Sequence, residues 1–231
     1  MLPYTPTITQ ILDVINKPFL VKWKVENAQA ITAKLAAEMY SDASFTDHIK
    51  FHQALTNKVT AITQQSQTDI SSRGTSIHDL ISYALLTKMK KTDGLVKPEP
   101  TDSTRIAWEN WRTWANKVKP KPLYIEHRIQ SDVHKYRGKL DAIIQLGKIV
   151  TVVDWKTGKA VYPEAIMQVA AYARAAAEMK LVKPGYECAV IRISKDDPRD
   201  EVEVVKVDKA EEVAAFGAFL SARQLWGYLN A

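Results

Sequence analysis

The sequence predicts an α/β protein: a helical first half, then a mixed sheet with helices packed on it. Three observations carry this. Up to about residue 118 the apolar residues recur at helical spacing. After Pro120 the period shortens to that of strands. Gly147-Lys148 then joins two of these strands as a two-residue turn, since glycine takes the positive φ such turns require.

Taken in order, Asn27 to Tyr40 is rich in Ala, Lys, Glu and Leu, and Asp47 to Gln67 continues with helix-compatible spacing. Gly74-Thr75-Ser76 reads as the opening of a new helix, whose apolar residues Ile77, Leu80, Ile81, Ala84 and Leu85 follow the i, i+3, i+4 pattern. Lys88 to Ser103, with Gly94, Pro98 and Pro100, reads as a surface loop. Thr104 to Val118 is helical again and carries Trp108, Trp111 and Trp114 three apart. Strands are expected at Leu123–Gln130, Tyr136–Gln145 and Ile149–Trp155, a helix at Pro163–Met179, strands at Tyr186–Ile193 and Val202–Val207, and a closing helix at Lys209–Leu229. No repeat or low-complexity run appears. The expected division is a helical region, 1–120, and a sheet-bearing core, 121–231.

At 231 residues, 46% hydrophobic and 25% charged, the chain is long enough to bury a core without staples. Its one cysteine, Cys188, excludes an internal disulfide and any centre needing several thiolates. The first 25 residues lack a signal-peptide pattern and no apolar run is long enough to span a bilayer, so a cytoplasmic protein is expected. The formal charge is +6. Between His134 and Lys159 six basic residues surround two acids, Asp141 and Asp154, whereas Asp196–Glu212 holds eight acids and three bases. A basic patch around isolated carboxylates suits a polyanionic substrate and a cation. On charge alone, a solvated strand face does as well.

The chemistry concentrates at the predicted hairpin. Asp141 lies six residues before Gly147 and Asp154 six after Lys148, so a regular antiparallel pairing sets the two carboxylates opposite one another. Facing carboxylates repel, and a hard divalent cation relieves this through oxygen ligands. Lys156, two residues beyond Asp154, projects from the same face. Two acids and a lysine form a compact hydrolytic set: the acids hold Mg²⁺ or Mn²⁺, and the lysine positions a water or neutralises developing charge. The competing reading is a surface ion pair between Asp154 and Lys156. The run Ile149-Val150-Thr151-Val152-Val153 weighs against it, because such a strand is buried on both faces and charges at its end are costly unless used or paired.

Arg137-Gly-Lys-Leu-Asp141, Val153-Asp-Trp-Lys-Thr-Gly158 and Gln168-Val-Ala-Ala-Tyr172 resemble, in order and spacing, the three motifs of the RecB-type branch of the PD-(D/E)xK nucleases. The resemblance reaches from about Arg73 to Val190. It implies a restriction-endonuclease-like α/β core with the order αβββαβ around a mixed central sheet. It implies a metal site of Asp141, Asp154 and His78, the last within Arg73-Gly-Thr-Ser-Ile-His78, with the Trp155 carbonyl as a further ligand. Lys156 would assist the attacking water, and Gln168, Tyr172 and Arg73 would meet substrate. Glu126 sits where relatives often carry an acid on the first strand; no role is assigned to it. From the residues alone, His78 reads equally as a packing histidine and Tyr172 as core.

The opening stretches Pro6–Leu12 and Asn16–Trp23 resemble standalone phage and mitochondrial genome-maintenance exonucleases, whose N-terminal helices form an arch or channel for single-stranded DNA. Trp108, Trp111 and Trp114 read either as base-stacking rings or as core. A single cysteine excludes the iron–sulfur cluster of some relatives, and no Gly-x-x-x-x-Gly-Lys-Ser/Thr loop supplies a motor. The expectation is a metal-dependent exodeoxyribonuclease of replication, recombination or repair, in host cytoplasm if phage-encoded. Its expected partners are DNA and a helicase, annealing or single-strand-binding protein, with no membrane. The alternatives are a structure-specific or restriction-like endonuclease and a non-catalytic DNA-binding recombination subunit.

Overall fold

The structure, a computed structural model, describes residues 5–15, 29, 32–36, 48–198 and 202–231, and within the long helix the side chains of 53–62 and 77–88. The elements are α1 (Ile8–Leu12), α2 (His48–Lys88), α3 (Arg105–Val118), β1 (Lys121–Ser131), β2 (Tyr136–Leu146), β3 (Ile149–Lys156), α4 (Pro163–Glu178), β4 (Glu187–Arg192), β5 (Glu203–Val207) and α5 (Lys209–Leu229). Residues 32–36 are also helical; the rest of the helix expected at Asn27–Tyr40, apart from residue 29, and the stretch Asn16–Trp23 lie outside the described residues.

Two compact units are formed, one by Met1–Ile15 with Gly74–Ala231 and the other by Asn16–Arg73. The division therefore does not fall at residue 120: α3 and the last turns of α2 pack on the sheet and belong with it. Nor does a new helix open at Gly74-Thr75-Ser76, because α2 runs through all three residues. Their weak propensity costs at most about 1 kcal/mol each, and nucleating a fresh helix costs more than propagating one.

The sheet has five strands in the order β1-β2-β3-β4-β5. β1, β2 and β3 form an antiparallel meander; α4 crosses over so that β4 pairs parallel to β3, and β5 returns antiparallel on β4. This is a mixed sheet between two helical layers, the restriction-endonuclease-like α/β arrangement. The β2–β3 turn is Gly147-Lys148, with Gly147 at φ +60° and Leu146 paired to Ile149. That register continues through Ala142 opposite Val153, the last pair before the two aspartates.

β3 is buried on both faces. Val152 packs with α1, α4 and α5, including Ile8, Val169 and Phe219. Val153 and Trp155 pack on the other side with Ile77, Ile81, Trp111 and Trp114. Trp155 is edge-on to Trp111 at 6.4 Å and to Trp114 at 6.0 Å. Trp111 and Trp114 are thus core, not base-stacking rings; helical spacing directs them at the sheet, and Trp108 stacks on Trp111 at 5.3 Å. Asn110 ties α3 to the segment after β4 by donating to the Ser194 and Asp197 carbonyls.

Replacing Trp111 by Ala should lower unfolding free energy by about 3–5 kcal/mol in urea titrations, the cost of emptying a packed aromatic site. DNA affinity per folded molecule should not change. An affinity loss without a stability loss would return Trp111 to base stacking.

Candidate active site

The site forms where the meander loses its regularity. Leu140 pairs with His127 and Ala142 with Ile125, but neither Glu126 nor Asp141 is paired between them. Glu126 takes a left-handed φ of +50°, a conformation uncommon for a residue with a Cβ and costing of order 1–3 kcal/mol. On β2 the alternation of sides also slips: Tyr136 and Leu140 lie in the core under α4, Ala142 and Ile144 in the core under α3. This paired irregularity turns the Glu126 and Asp141 side chains to the same place.

His78 meets them there from α2, its Nδ1 at 3.5 Å from Asp141 Oδ2. Donor atoms of His78, Glu126 and Asp141 lie within 4.8 Å of one another. Glu126 also accepts from the Ser82 hydroxyl at 3.1 Å, one turn along α2 from His78, and is ion-paired with Lys139. Asp141 accepts the amide of Trp155 at 2.8 Å. Where the main-chain ladder ends, this side chain supplies the partner that a buried amide requires.

On β3, Trp155 points into the tryptophan core, which turns Asp154 and Lys156 to the opposite face, toward α4. Asp154 is 0% exposed, so it forms no surface ion pair. Lys156 Nζ lies 2.7 Å from Asp154 Oδ2 and donates to Gln168 Oε1 at 3.0 Å. Gln168 Nε2 in turn donates to the Tyr172 hydroxyl at 2.7 Å. The helical four-residue spacing on α4 thus becomes a chain from Tyr172 through Gln168 to Lys156. Tyr172 is both core and site: its ring is buried and its hydroxyl ends the chain. A Cβ on Gly138 would come within 3.2 Å of the Tyr172 ring and 3.0 Å of Ile8, so the glycine of the Gly-x-x-Asp segment lets that ring lie against β2.

Burial and neighbouring charges compete throughout the site. Burial, opposed by Lys156 and reinforced by Asp141, raises the Asp154 carboxyl to about 6. From an ordinary value of 3.8 this weighs roughly 3 kcal/mol against the charged form. Burial works against a charged His78, but its bond to Asp141 and the charges of Asp141 and Asp154 prevail and raise it. The same contest raises Lys156, where burial is outweighed by Asp154, so its ammonium form persists. Both oxygens of Asp154 are buried without a well-directed hydrogen bond. Lys156 faces Oδ2 only, and a buried carboxylate that feels a further acid and an imidazole suits a hard divalent cation. His78, Glu126 and Asp141 form the group of side chains able to hold it; Asp154 lies close enough to feel Asp141 and His78 but is not one of that group.

The profile of the PD-(D/E)XK nuclease superfamily matches residues 48–226. The chain belongs to that superfamily. Membership implies a nuclease dependent on divalent metal, which agrees with the donor set. No curated protein matches the chain. Among solved structures it is similar to one described as the crystal structure of SSO0001, at 14% identity and a TM-score of 0.29, over 51% of this chain; the chain spans 57% of that structure's length. A similarity that low carries no argument. Among the described residues no helix is long and apolar enough to cross a membrane.

Of the residues read from sequence, Asp141, Asp154, Lys156, His78, Gln168 and Tyr172 converge in the unit that contains the sheet. Trp155 joins them through its backbone, while its indole lies in the core beyond. The Arg73 side chain lies outside those described. Glu126, left without a role, joins His78 and Asp141 in the cluster; the acid that relatives often carry on the first strand was its signal.

Two outcomes test this geometry. Asp154 and His78 are both raised, so folding favours their protonated forms: the charge penalty on Asp154 grows as pH rises from about 4 through about 6, and the stabilisation from His78 is full below about 6.5 and lost above it. A cation that displaces those protons binds better at higher pH. Saturating Mn²⁺ should therefore raise the melting temperature by about 5–10 °C at pH 8 and by less than half that at pH 5; equal shifts would remove these two groups from the metal set. Gly138→Ala should push the Tyr172 ring off β2 and slow cleavage about tenfold or more by disturbing Lys156. Unchanged cleavage by the folded variant would show that the Tyr172–Gln168–Lys156 chain is not needed.

Proposed function

We propose that the protein is a metal-dependent deoxyribonuclease that hydrolyses DNA phosphodiester bonds, acting as an exonuclease on single-stranded or end-bearing DNA. The single observation carrying this is the buried Asp154, both of whose oxygens lack directed hydrogen bonds, beside the converging His78, Glu126 and Asp141. Such polar groups brought together from α2, β1, β2 and the end of β3 are costly to bury unless they are used or paired.

Asp141, Asp154 and His78 hold Mg²⁺ or Mn²⁺, with Glu126 added to the set and the Trp155 carbonyl as a further ligand. When bound, the ion supplies Lewis-acid polarisation of the phosphoryl oxygen and lowers the pKa of a water. Lys156, paired with Asp154, positions the attacking water or neutralises charge developing on the phosphoryl oxygens. Gln168 accepts one Lys156 hydrogen and so fixes the ammonium's direction, and its own amide is oriented by Tyr172. Gln168 keeps a second amide hydrogen for a substrate oxygen. Arg73 adds a phosphate contact, and the N-terminal helices guide the strand. The setting is replication, recombination or repair in the cytoplasm, with a helicase, annealing or single-strand-binding protein supplying what this chain lacks.

Asp154→Asn should abolish cleavage, a loss of at least roughly a thousandfold, in a variant that still folds, read by its circular dichroism, although Lys156 loses its carboxylate partner and the melting temperature falls. Digestion of 5′- and 3′-labelled linear strands alongside circular single-stranded DNA checks both the residue and the mode. Wild-type cleavage by the variant would overturn the site, and linearisation of the circle would replace the exonuclease with an endonuclease.

A further inference from the structure

The outer face of the β1–β2 hairpin carries cations that the chemistry above does not use. From Ser131/Tyr136 to His127/Leu140 the ladder is regular, setting Arg128 opposite Lys139 and Gln130 opposite Arg137. Strand periodicity puts these four side chains on one face, and all four residues are exposed. Ile129, Tyr136 and Leu140 are buried on the face beneath. Three of the four are cationic and none is acidic. Arg128 and Lys139 stand directly opposed with Cβ atoms about 5 Å apart, and the Glu126 carboxylate compensates only Lys139 of this pair.

The strip also has a direction. Lys139 is ion-paired with Glu126, which belongs to the cluster with His78 and Asp141. At the far end Gln130 donates to Asp132. Along each strand the positions repeat every 6.8 Å or so and the two rows lie about 4.8 Å apart. That width addresses one phosphate backbone; the strands flanking a major groove are about 12 Å apart.

We propose that Arg128, Arg137 and Lys139 form a track for the phosphates of one DNA strand, leading from the carboxylate cluster toward the β1–β2 turn. The proposal rests on the nuclease reading and adds to it the path of the substrate. Each neutralised phosphate releases a counterion, so the track has a signature in salt dependence that a structural role does not.

The test is binding of a labelled oligothymidylate to the full chain in EDTA, titrated over salt, for wild type, Arg128→Gln/Arg137→Gln and the charge-matched Lys180→Gln/Lys183→Gln. Expected is a log–log salt slope shallower by about 1.4 in the Arg128/Arg137 variant, with affinity reduced about 25-fold at 0.1 M salt, from roughly 0.7 per lost contact. The Lys180/Lys183 variant should keep the wild-type slope. An unchanged slope in the first variant, with its melting temperature intact, or an equal loss in the second, would overturn the track. The nuclease reading fails separately: it falls if wild type binds with the expected slope yet releases no product with Mg²⁺ or Mn²⁺, and it stands if cleavage proceeds while the slope does not respond.

Discussion

The bond from the Trp155 amide to the Asp141 carboxylate, 2.8 Å long, is the constraint on which the site depends. It closes the β2–β3 hairpin where the main-chain ladder has stopped, from one residue beyond Ala142 to two beyond Val153. A regular continuation would spend the backbone groups of β2 on β3 and leave the carboxylate to find its own direction. Here β2 is irregular, and the side chain takes the ladder's place. The cost is a left-handed Glu126 opposite it; what results is three polar donors from α2, β1 and β2 at one point. Strain concentrated where function resides, and compensated by a well-packed surround, is a recurrent bargain in enzymes.

The surround is the tryptophan core. Trp155 cannot turn without leaving the edge-on contacts with Trp111 and Trp114. In a strand, fixing one residue's face fixes its neighbours' faces. Asp154 and Lys156 are therefore committed to the α4 side, where Gln168 and Tyr172 are waiting. Stability on one face of β3 is in this way converted into orientation on the other.

Electrostatics and packing then pull in opposite directions. The core demands that β3 be buried to its end, and burial raises the Asp154 carboxyl while leaving its oxygens without directed bonds. Lys156 offsets this charge in part. The residual frustration is what makes the position chemically useful, since a buried and under-coordinated carboxylate binds a cation more readily than a solvated one. Gly138 serves the same end from below, allowing the Tyr172 ring close enough to β2 for its hydroxyl to anchor Gln168.

Much of this was written locally in the chain. The Gly147-Lys148 turn set the β2–β3 register, the apolar run of β3 announced two-sided burial, and the spacing of Gln168 and Tyr172 gave them a common face. Such features follow from periodicity and turn chemistry, which neighbouring residues determine among themselves. The slip of alternation at Asp141, the left-handed Glu126, the inward turn of Trp111 and Trp114, and the passage of α2 through Gly74 were not legible there. Each depends on what another element presents: β1 against β2, α3 against the sheet, helix propagation against local propensity. Sequence alone singled out Asp141, Asp154 and Lys156 as candidates for the chemistry, and only tertiary packing decided which side each faced and brought Glu126 to them, because a strand's face is set by the partner that buries it.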